Sequence, residues 1–307
     1  MQSRSMLLIA ALLVCASSGL HADGSAGAEP SWDSRPLSFW MQALRASDPI
    51  ERRRAADAVT QIAIAHGGDA AEPAVPALQA ILDEHSADLR QSSAAALEQI
   101  GPPAAASVPA LLRVFQHDET AVVRRSAGLA LARIAPSASD VIDAAAVAIR
   151  SDVDPGARTS AAVVLIASGQ AGRRAVPPLS AALDDRDAAV RLYAAAALAQ
   201  LGEDDRARLI VMRTIQDNDS GLRAEAVALL PDVTVDRAGL LPILSGTLHD
   251  ADPEVRAASA RAIATLGRIA EPLIPALWAM LQDPDEGVRQ HALFAIHEIK
   301  SDLKPQN

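Results

Sequence analysis

Apolar and small residues recur along the chain at the spacing of one helix face. In Asp250–Gly267 they stand one residue before Arg256 and three, four, seven and ten residues after it. Such positions lie on one side of an α-helix. The same skeleton of acidic residue, Val-Arg, small residues and Leu returns in Asp185–Gly202 and Asp283–Lys300. No segment has the strict alternation of a β-strand, so the pattern predicts helices throughout.

An arginine marks the same position in eight successive units. Consecutive arginines are 38, 34, 34, 33, 32, 33 and 33 residues apart. They are Arg52, Arg90, Arg124, Arg158, Arg191, Arg223, Arg256 and Arg289. Units of this length are typical of stacked supersecondary modules.

Each unit contains the patterns of two helices. The second helix begins at an Asp four residues before the arginine, as at Asp252, because Asp is a good helix N-cap. A Gly eleven residues after the arginine ends it in several units, as at Gly267. The first helix begins with Val-Pro-Ala-Leu or a related sequence, as in Ile274–Leu281. The sequence therefore predicts an all-α solenoid of about eight helix-turn-helix repeats over residues 36–300.

Three places depart from the regular pattern. Pro231 falls inside the second helix of unit six and is expected to kink or stop it near Leu230. The first helix of unit four, Asp140–Ile149, lacks the proline, and the link after unit one is longer than the others. We expect any break in regular stacking near residues 66–74 or 231–238, within a single domain.

The pattern D-x-x-V-R-x-x-A-A-x-A-L-x-x-L-G, with Val-Pro-Ala-Leu in the first helix, resembles the HEAT-repeat family and its short class, the PBS-lyase-like repeats. The resemblance covers roughly residues 36–300 and implies an α-solenoid, but no activity, since such repeats serve many unrelated roles. The HEAT-like deoxyhypusine hydroxylases bind iron through several His-Glu pairs, whereas this chain has one, His297-Glu298.

Composition agrees with closely packed helices and limits the partners. Half of the residues are hydrophobic but 2% are aromatic, so Ala, Leu, Val and Ile make up most of the core. The 28 basic and 38 acidic residues give a net charge of −10. Because an acidic chain repels phosphate groups, we expect no nucleic-acid partner.

The first residues form a segment of a different kind. Residues 1–22 combine a charged start, the apolar run Met6–Ala16 and small residues, the order of a signal peptide. A run of eleven residues is too short for a membrane span, which needs about 20. We expect cleavage after Ala22 and an exported protein, periplasmic or secreted, without a membrane span. An uncleaved anchor is the alternative.

Two short segments flank the repeats in the expected exported chain. Residues 23–35 are expected to be a linker and residues 301–307 a C-terminal tail.

Cys15 raises a lipoprotein alternative, but Val14 precedes it where lipoprotein signals normally have a small residue. Bilin lyases, which name the repeat class, act on cytoplasmic phycobiliproteins and do not fit an exported chain.

Acidic residues accompany the repeated arginine. Asp occurs four and six residues before it in most units, as at Asp252 and Asp250. In stacked units a guanidinium can take a bidentate bond from a carboxylate and bind loop carbonyls. Because a catalytic pair is not needed eight times, we interpret the pair as a structural joint between units.

The sequence contains no recognisable reactive motif. There is no H-E-x-x-H, no G-x-S-x-G and no phosphate-binding glycine loop. We therefore predict no catalytic residue, no bound metal and no cofactor.

The second helices present a stripe two, five and nine residues after the arginine, which in HEAT-like solenoids usually lines the concave side. The stripe mixes both charges and small apolar residues, unlike a basic nucleic-acid groove. Arg and aromatic residues often anchor interfaces. The candidate protein-binding residues are Arg133, Tyr193, Arg261, His291 and Phe294. In the alternative interpretation, Phe294 packs against the final turn and Tyr193 covers its neighbours.

Three functions are compatible with these observations. The favoured one is a non-enzymatic exported scaffold that binds a protein or peptide on the concave face. A second is an enzyme or its accessory subunit, lyase-like, with a site near Pro231 or the long first link. A third is a structural module of the cell envelope that forms a homodimer through the C-terminal repeat.

Overall fold

The computed structural model describes residues 29–202, 205–233 and 236–302. The predicted signal peptide, residues 1–22, lies outside the described residues, as do residues 23–28 of the linker and 303–307 of the tail. The described residues form two compact units, one that ends at Ala197 and one that begins at Leu198. The division lies outside both segments in which the sequence indicates a break.

The N-terminal unit contains five repeats. A two-residue antiparallel pair, β1 (Ser31–Trp32) and β2 (Arg35–Pro36), precedes them. The first helices of the repeats are α1 (Leu37–Ala43), α4 (Val75–Ile81), α6 (Val108–His117), α8 (Ser139–Ser151) and α10 (Val176–Ala182). The second helices are α2 (Pro49–His66), α5 (Ala87–Ile100), α7 (Ala121–Ile134), α9 (Pro155–Ala167) and α11 (Ala188–Leu201), the last of which continues into the C-terminal unit. The long first link forms a short helix, α3 (Gly68–Ala71).

The C-terminal unit contains three repeats. Their first helices are α12 (Asp205–Thr214), α14 (Leu241–Thr247) and α16 (Ile274–Met280). Their second helices are α13 (Ser220–Val233), α15 (Pro253–Thr265) and α17 (Glu286–Asp302). Short 3₁₀ segments lead into several first helices; they are Glu72–Ala74, Pro102–Ser107, Gly169–Ala175, Ala238–Leu240 and Gly267–Leu273. The predicted all-α solenoid is confirmed.

The second helices begin and end where their sequence directs. The Asp252 carboxylate accepts a hydrogen bond of 2.8 Å from the backbone N–H of Glu254, and Asp154 accepts one of the same length from Ala157. These bonds satisfy N–H groups that have no partner within the helix. At the other end Gly267 has a φ of 54°, in the left-handed region that favours glycine.

Small residues allow the second helices to approach closely. These helices pack directly on one another from α2 through α5 and α7 to α9, and from α13 through α15 to α17. Gly128 shows how close the approach is, because a Cβ atom there would lie 2.6 Å from Ser160 Oγ and 3.0 Å from Phe115 Cε2. The high alanine content is therefore a packing requirement of this stack.

Pro231 does not stop its helix where the sequence predicts. Helix α13 contains Pro231 and extends to Val233, so the expected stop near Leu230 is wrong, while the kink expected as the other outcome stays a prediction. Proline removes one hydrogen bond to the carbonyl four residues earlier. Since Pro231 lies in the last turn of α13, the loss of this hydrogen bond affects few further turns. Leu229 and Leu230 remain buried.

Candidate protein-interaction surface

A ladder of arginine-aspartate pairs joins neighbouring repeats. In each described pair the Nε and Nη2 atoms of an arginine donate to both carboxylate oxygens of an aspartate in the next repeat. In the N-terminal unit the distances are 2.6 to 2.8 Å for Arg90–Asp118, Arg124–Asp152 and Arg158–Asp185. In the C-terminal unit they are 2.7 to 2.9 Å for Arg223–Asp250 and Arg256–Asp283. The predicted bidentate joint is confirmed for these pairs.

The third nitrogen of each guanidinium binds the loop of its own repeat. Arg256 Nη1 donates to the carbonyl oxygens of Asp250 and Ala251 at 3.0 and 3.1 Å. Arg289 makes the same two bonds, at 2.7 and 2.9 Å, to Asp283 and Pro284. Each arginine of the five described pairs therefore holds the entrance of its own second helix and the repeat that follows, whereas within the described residues Arg191 and Arg289 show only the bonds to their own loops.

Two ladder aspartates of the C-terminal unit, Asp250 and Asp283, are held in the ionised form. The hydrogen bonds from Arg223 lower the pKa of Asp250 below its usual value, and those from Arg256 do the same for Asp283. Carboxylates that are committed to two guanidinium bonds and a backbone N–H are not available as general bases. Their geometry is that of a structural joint.

Tyr193 is not part of an accessible surface. Its side chain is 1% exposed, so its prediction as a protein-binding residue is wrong. Other members of the stripe in the N-terminal unit are also buried, namely Ser160, Val163 and Ala196. Small residues at these positions let neighbouring helices close over the stripe, so it is not open along its whole length.

Arg133 is exposed and lies beside a buried carboxyl that the sequence analysis missed. Burial raises the pKa of Glu98 to about 7, and the positive charge of Arg133 only partly opposes this shift. Glu98 stands eight residues after Arg90, where most other repeats have an apolar residue such as Ala132, Ile166 or Ala264. This departure from an apolar position is visible in the sequence and could have identified Glu98.

In the C-terminal unit the structure brings two of the predicted residues into contact. Arg261 on α15 and His291 on α17 are both half-buried, and Arg261 Nη1 lies 3.1 Å from His291 Nε2. A guanidinium only donates hydrogen bonds, so the imidazole nitrogen accepts and His291 is neutral. Burial, and then the charge of Arg261, lower the pKa of His291. Burial also lowers the pKa of Arg261.

Phe294 lies one turn after His291 on α17 and is 45% exposed. Nearly half of the side chain is therefore open, and its packing against the final turn stays an alternative. Arg261, His291 and Phe294 together form a surface of one cation, one neutral imidazole and one aromatic ring, which we call the C-terminal cluster.

The region around Pro231 contains a small cavity of about 170 Å³. Its lining is largely apolar, with Arg208 and Asp236 as the charged members; the others are Met212, Leu230, Val233, Gly239, Leu240 and Ile243. Asp236 accepts a hydrogen bond of 3.0 Å from the backbone N–H of Gly239 and so closes a 3₁₀ turn. The enzyme alternative that the sequence placed near Pro231 stays a prediction.

No group of three or more His, Cys, Asp or Glu side chains within the described residues is arranged to hold a metal ion. None of the helices in residues 29–202, 205–233 and 236–302 combines the length and the apolar character of a membrane span.

Comparison with known proteins gives one family match. The family described as HEAT repeats matches residues 37–132 and 238–305, together more than half of the chain. No curated protein matches the sequence.

Three solved structures illustrate the range of similar chains. An engineered protein is 21% identical, over 86% of this chain and 78% of its own, with a TM-score of 0.44. Escherichia coli YibA is 20% identical, over 86% and 92%, with a TM-score of 0.44. Human deoxyhypusine hydroxylase in complex with glycerol is 22% identical, over 86% and 96%, with a TM-score of 0.38. At these values none of the three indicates an activity for this chain.

Proposed function

Because the chain belongs to the HEAT-repeat family, we propose that it is a non-enzymatic scaffold that binds a protein or peptide partner. The binding surface is the C-terminal cluster of Arg261, His291 and Phe294. The observation that carries the proposal is the hydrogen-bonded Arg261–His291 pair, with a 45% exposed aromatic ring one turn further along α17.

The chemistry of the C-terminal cluster suits a polypeptide. Arg261 has five N–H donors and uses one of its nitrogens on His291. Among the described residues no carboxylate is bonded to the others, so they are available to carbonyls or carboxylates of a partner. Partial burial excludes water from these bonds and strengthens them, while Phe294 supplies apolar area. Arg and aromatic side chains in this combination are typical interface anchors.

Export belongs to the same proposal and rests on the sequence of residues 1–22. A periplasmic or secreted scaffold would meet its partner in the cell envelope or outside the cell. N-terminal sequencing of the protein purified from the producing cells tests this point. We expect the mature chain to begin at Asp23; a chain that still begins at Met1 contradicts cleavage.

Affinity capture tests partner binding. The full chain is used as bait on an envelope fraction and compared with Arg261→Gln and Phe294→Ala, after circular dichroism has shown equal helix content. Arg268→Gln is the matched control because Arg268 is an exposed arginine of the same unit outside the cluster. We expect the two cluster variants to lose proteins that wild type and control retain. Recovery of the same proteins by all four baits contradicts the proposed surface.

A further inference from the structure

The last repeat keeps one half of an arginine joint and lacks the other. In the described ladder, Nη1 binds the loop of the same repeat while Nε and Nη2 bind an aspartate of the next one, as in Arg256–Asp283. Arg289 has the Nη1 bonds, so its guanidinium is held in the same orientation. Among the described residues no carboxylate meets its Nε and Nη2 atoms. That edge of the guanidinium points to where a ninth repeat would lie.

The apolar residues of the last helix face in the same direction. Position four after the ladder arginine faces the next repeat, since a Cβ atom at Gly128 would meet Ser160 of the following helix. In the C-terminal unit this position is fully buried in Val227 and Ala260, yet in the last repeat it is Leu293, which is 61% exposed.

Position five after the ladder arginine also faces the next repeat. The Arg261–His291 bond shows this, because Arg261 stands five residues after its ladder arginine and contacts the following second helix. In the last repeat position five is Phe294, which is 45% exposed. The outer face of an end repeat is normally polar, whereas that of the last described repeat carries a leucine and a phenylalanine.

We propose that Arg289, Leu293 and Phe294 form an end face that docks a helix of a partner protein whose preceding loop presents an aspartate. The inference rests on the proposed scaffold function and names the partner's chemistry. The guanidinium edge selects a carboxylate, as it does five times within the described chain at 2.6 to 2.9 Å. Leu293 and Phe294 select the apolar side of the helix that follows this loop.

A second copy of the chain does not supply this partner. The first repeat has Ala46 six residues before Arg52, where most later repeats have aspartate, so head-to-tail stacking brings no carboxylate to Arg289. Pairing of two end faces places two Arg289 guanidinium groups at one interface, and like charges repel. The end face therefore fits an acidic loop-helix segment of a different protein.

A peptide probe tests the end face directly. The probe is residues 247–267 of this chain, which contain the Asp250 loop and the α15 sequence, and its matched control carries Asp250→Asn. Binding to the isotope-labelled full chain is followed by nuclear magnetic resonance for wild type, Arg289→Gln and Leu293→Ala. Arg268→Gln serves as the control variant. We expect saturable binding to wild type and control, with shifts at Leu293 and Phe294.

The size of the effect follows from the charge-assisted bonds. Arg289→Gln is expected to weaken peptide binding about tenfold or more. The Asp250→Asn peptide should bind wild type about tenfold more weakly than the unchanged peptide does. The two peptides should bind Arg289→Gln with nearly equal affinity, as expected when Asp250 and Arg289 bind each other. Failure of wild type to bind the peptide at millimolar concentration, or equal binding by Arg289→Gln, overturns the proposal.

Two further results separate this inference from the proposed function. If Arg289→Gln and Leu293→Ala capture the same envelope proteins as wild type while Arg261→Gln loses them, the scaffold function stands and the end face is wrong. If light scattering shows twice the chain mass for wild type and the single mass for Leu293→Ala, a second copy occupies the face, and the assignment to a different protein is overturned.

Discussion

Replacement of Asp118 by alanine tests the structural joint at its most buried pair. The Arg90 and Asp118 side chains are 8% and 5% exposed, and their two bonds measure 2.6 and 2.8 Å. Removal of the carboxylate leaves the buried guanidinium with only the exposed Glu119 carboxylate, 3.9 Å away, as a charge partner, which costs about 3–5 kcal/mol. The bond from the Thr120 N–H to Asp118, at 2.9 Å, is lost as well and contributes about 1 kcal/mol.

A second ion pair of the same unit provides the matched comparison. Arg113 and Asp83 also join neighbouring repeats, but their side chains are 53% and 65% exposed. Water can replace the lost partner there, so Asp83→Ala is expected to cost about 0–1 kcal/mol. The two substitutions remove the same chemical group and differ mainly in burial.

Urea unfolding, followed by circular dichroism, measures both variants. Native-state hydrogen exchange at the amides of α5 and α7 then localises the loss, because repeat arrays can open in parts. We expect Asp118→Ala to weaken protection in these two helices and Asp83→Ala to leave it nearly unchanged. If the two variants lost equally little unfolding free energy and exchange protection, the ladder would not hold the repeats together.

Four other outcomes follow from single positions. Gly128→Ala should destabilise the chain by about 1–3 kcal/mol in thermal unfolding, because its Cβ would lie 2.6 Å from Ser160 Oγ. Gly246→Ala, with nothing within 4 Å, should stabilise its helix by up to about 1 kcal/mol, and the reverse order would contradict the packing argument. Because the pKa of Glu98 is raised from 4.5 to about 7, stability should fall as the pH rises between these values, and Glu98→Gln should flatten that fall in urea titrations. Tyr193→Ala should lower the free energy of unfolding by about 3–5 kcal/mol, as for a buried aromatic residue, when unfolding is followed by circular dichroism. A loss below about 1 kcal/mol would contradict the burial of Tyr193.

The repeat architecture could be predicted because its signals are local. Asp252 starts a helix through a bond to a residue two positions away, and Gly267 ends it through its own backbone conformation. The ladder could also be predicted, since a nearly fixed spacing places the arginines and aspartates of five described pairs in register. Pro231 shows the limit of such reasoning, because the cost of a proline depends on how many turns remain after it.

Exposure could not be predicted in the same way, because it depends on what packs across from a residue. Tyr193 and Phe294 look alike in the sequence as aromatics of one stripe, yet they are 1% and 45% exposed. Glu98 titrates near neutrality only because neighbouring helices exclude water from it.

The sequence by itself determined the helices, their caps, the period and the arginine joint, since each depends on residues at fixed spacing. The tertiary structure alone decided which copies of the same position are covered. Ala260 and Leu293 occupy equivalent positions, and one is buried while the other is 61% exposed. The physical reason is that a repeat buries its outer face only against a following repeat, and α17 has none among the described residues.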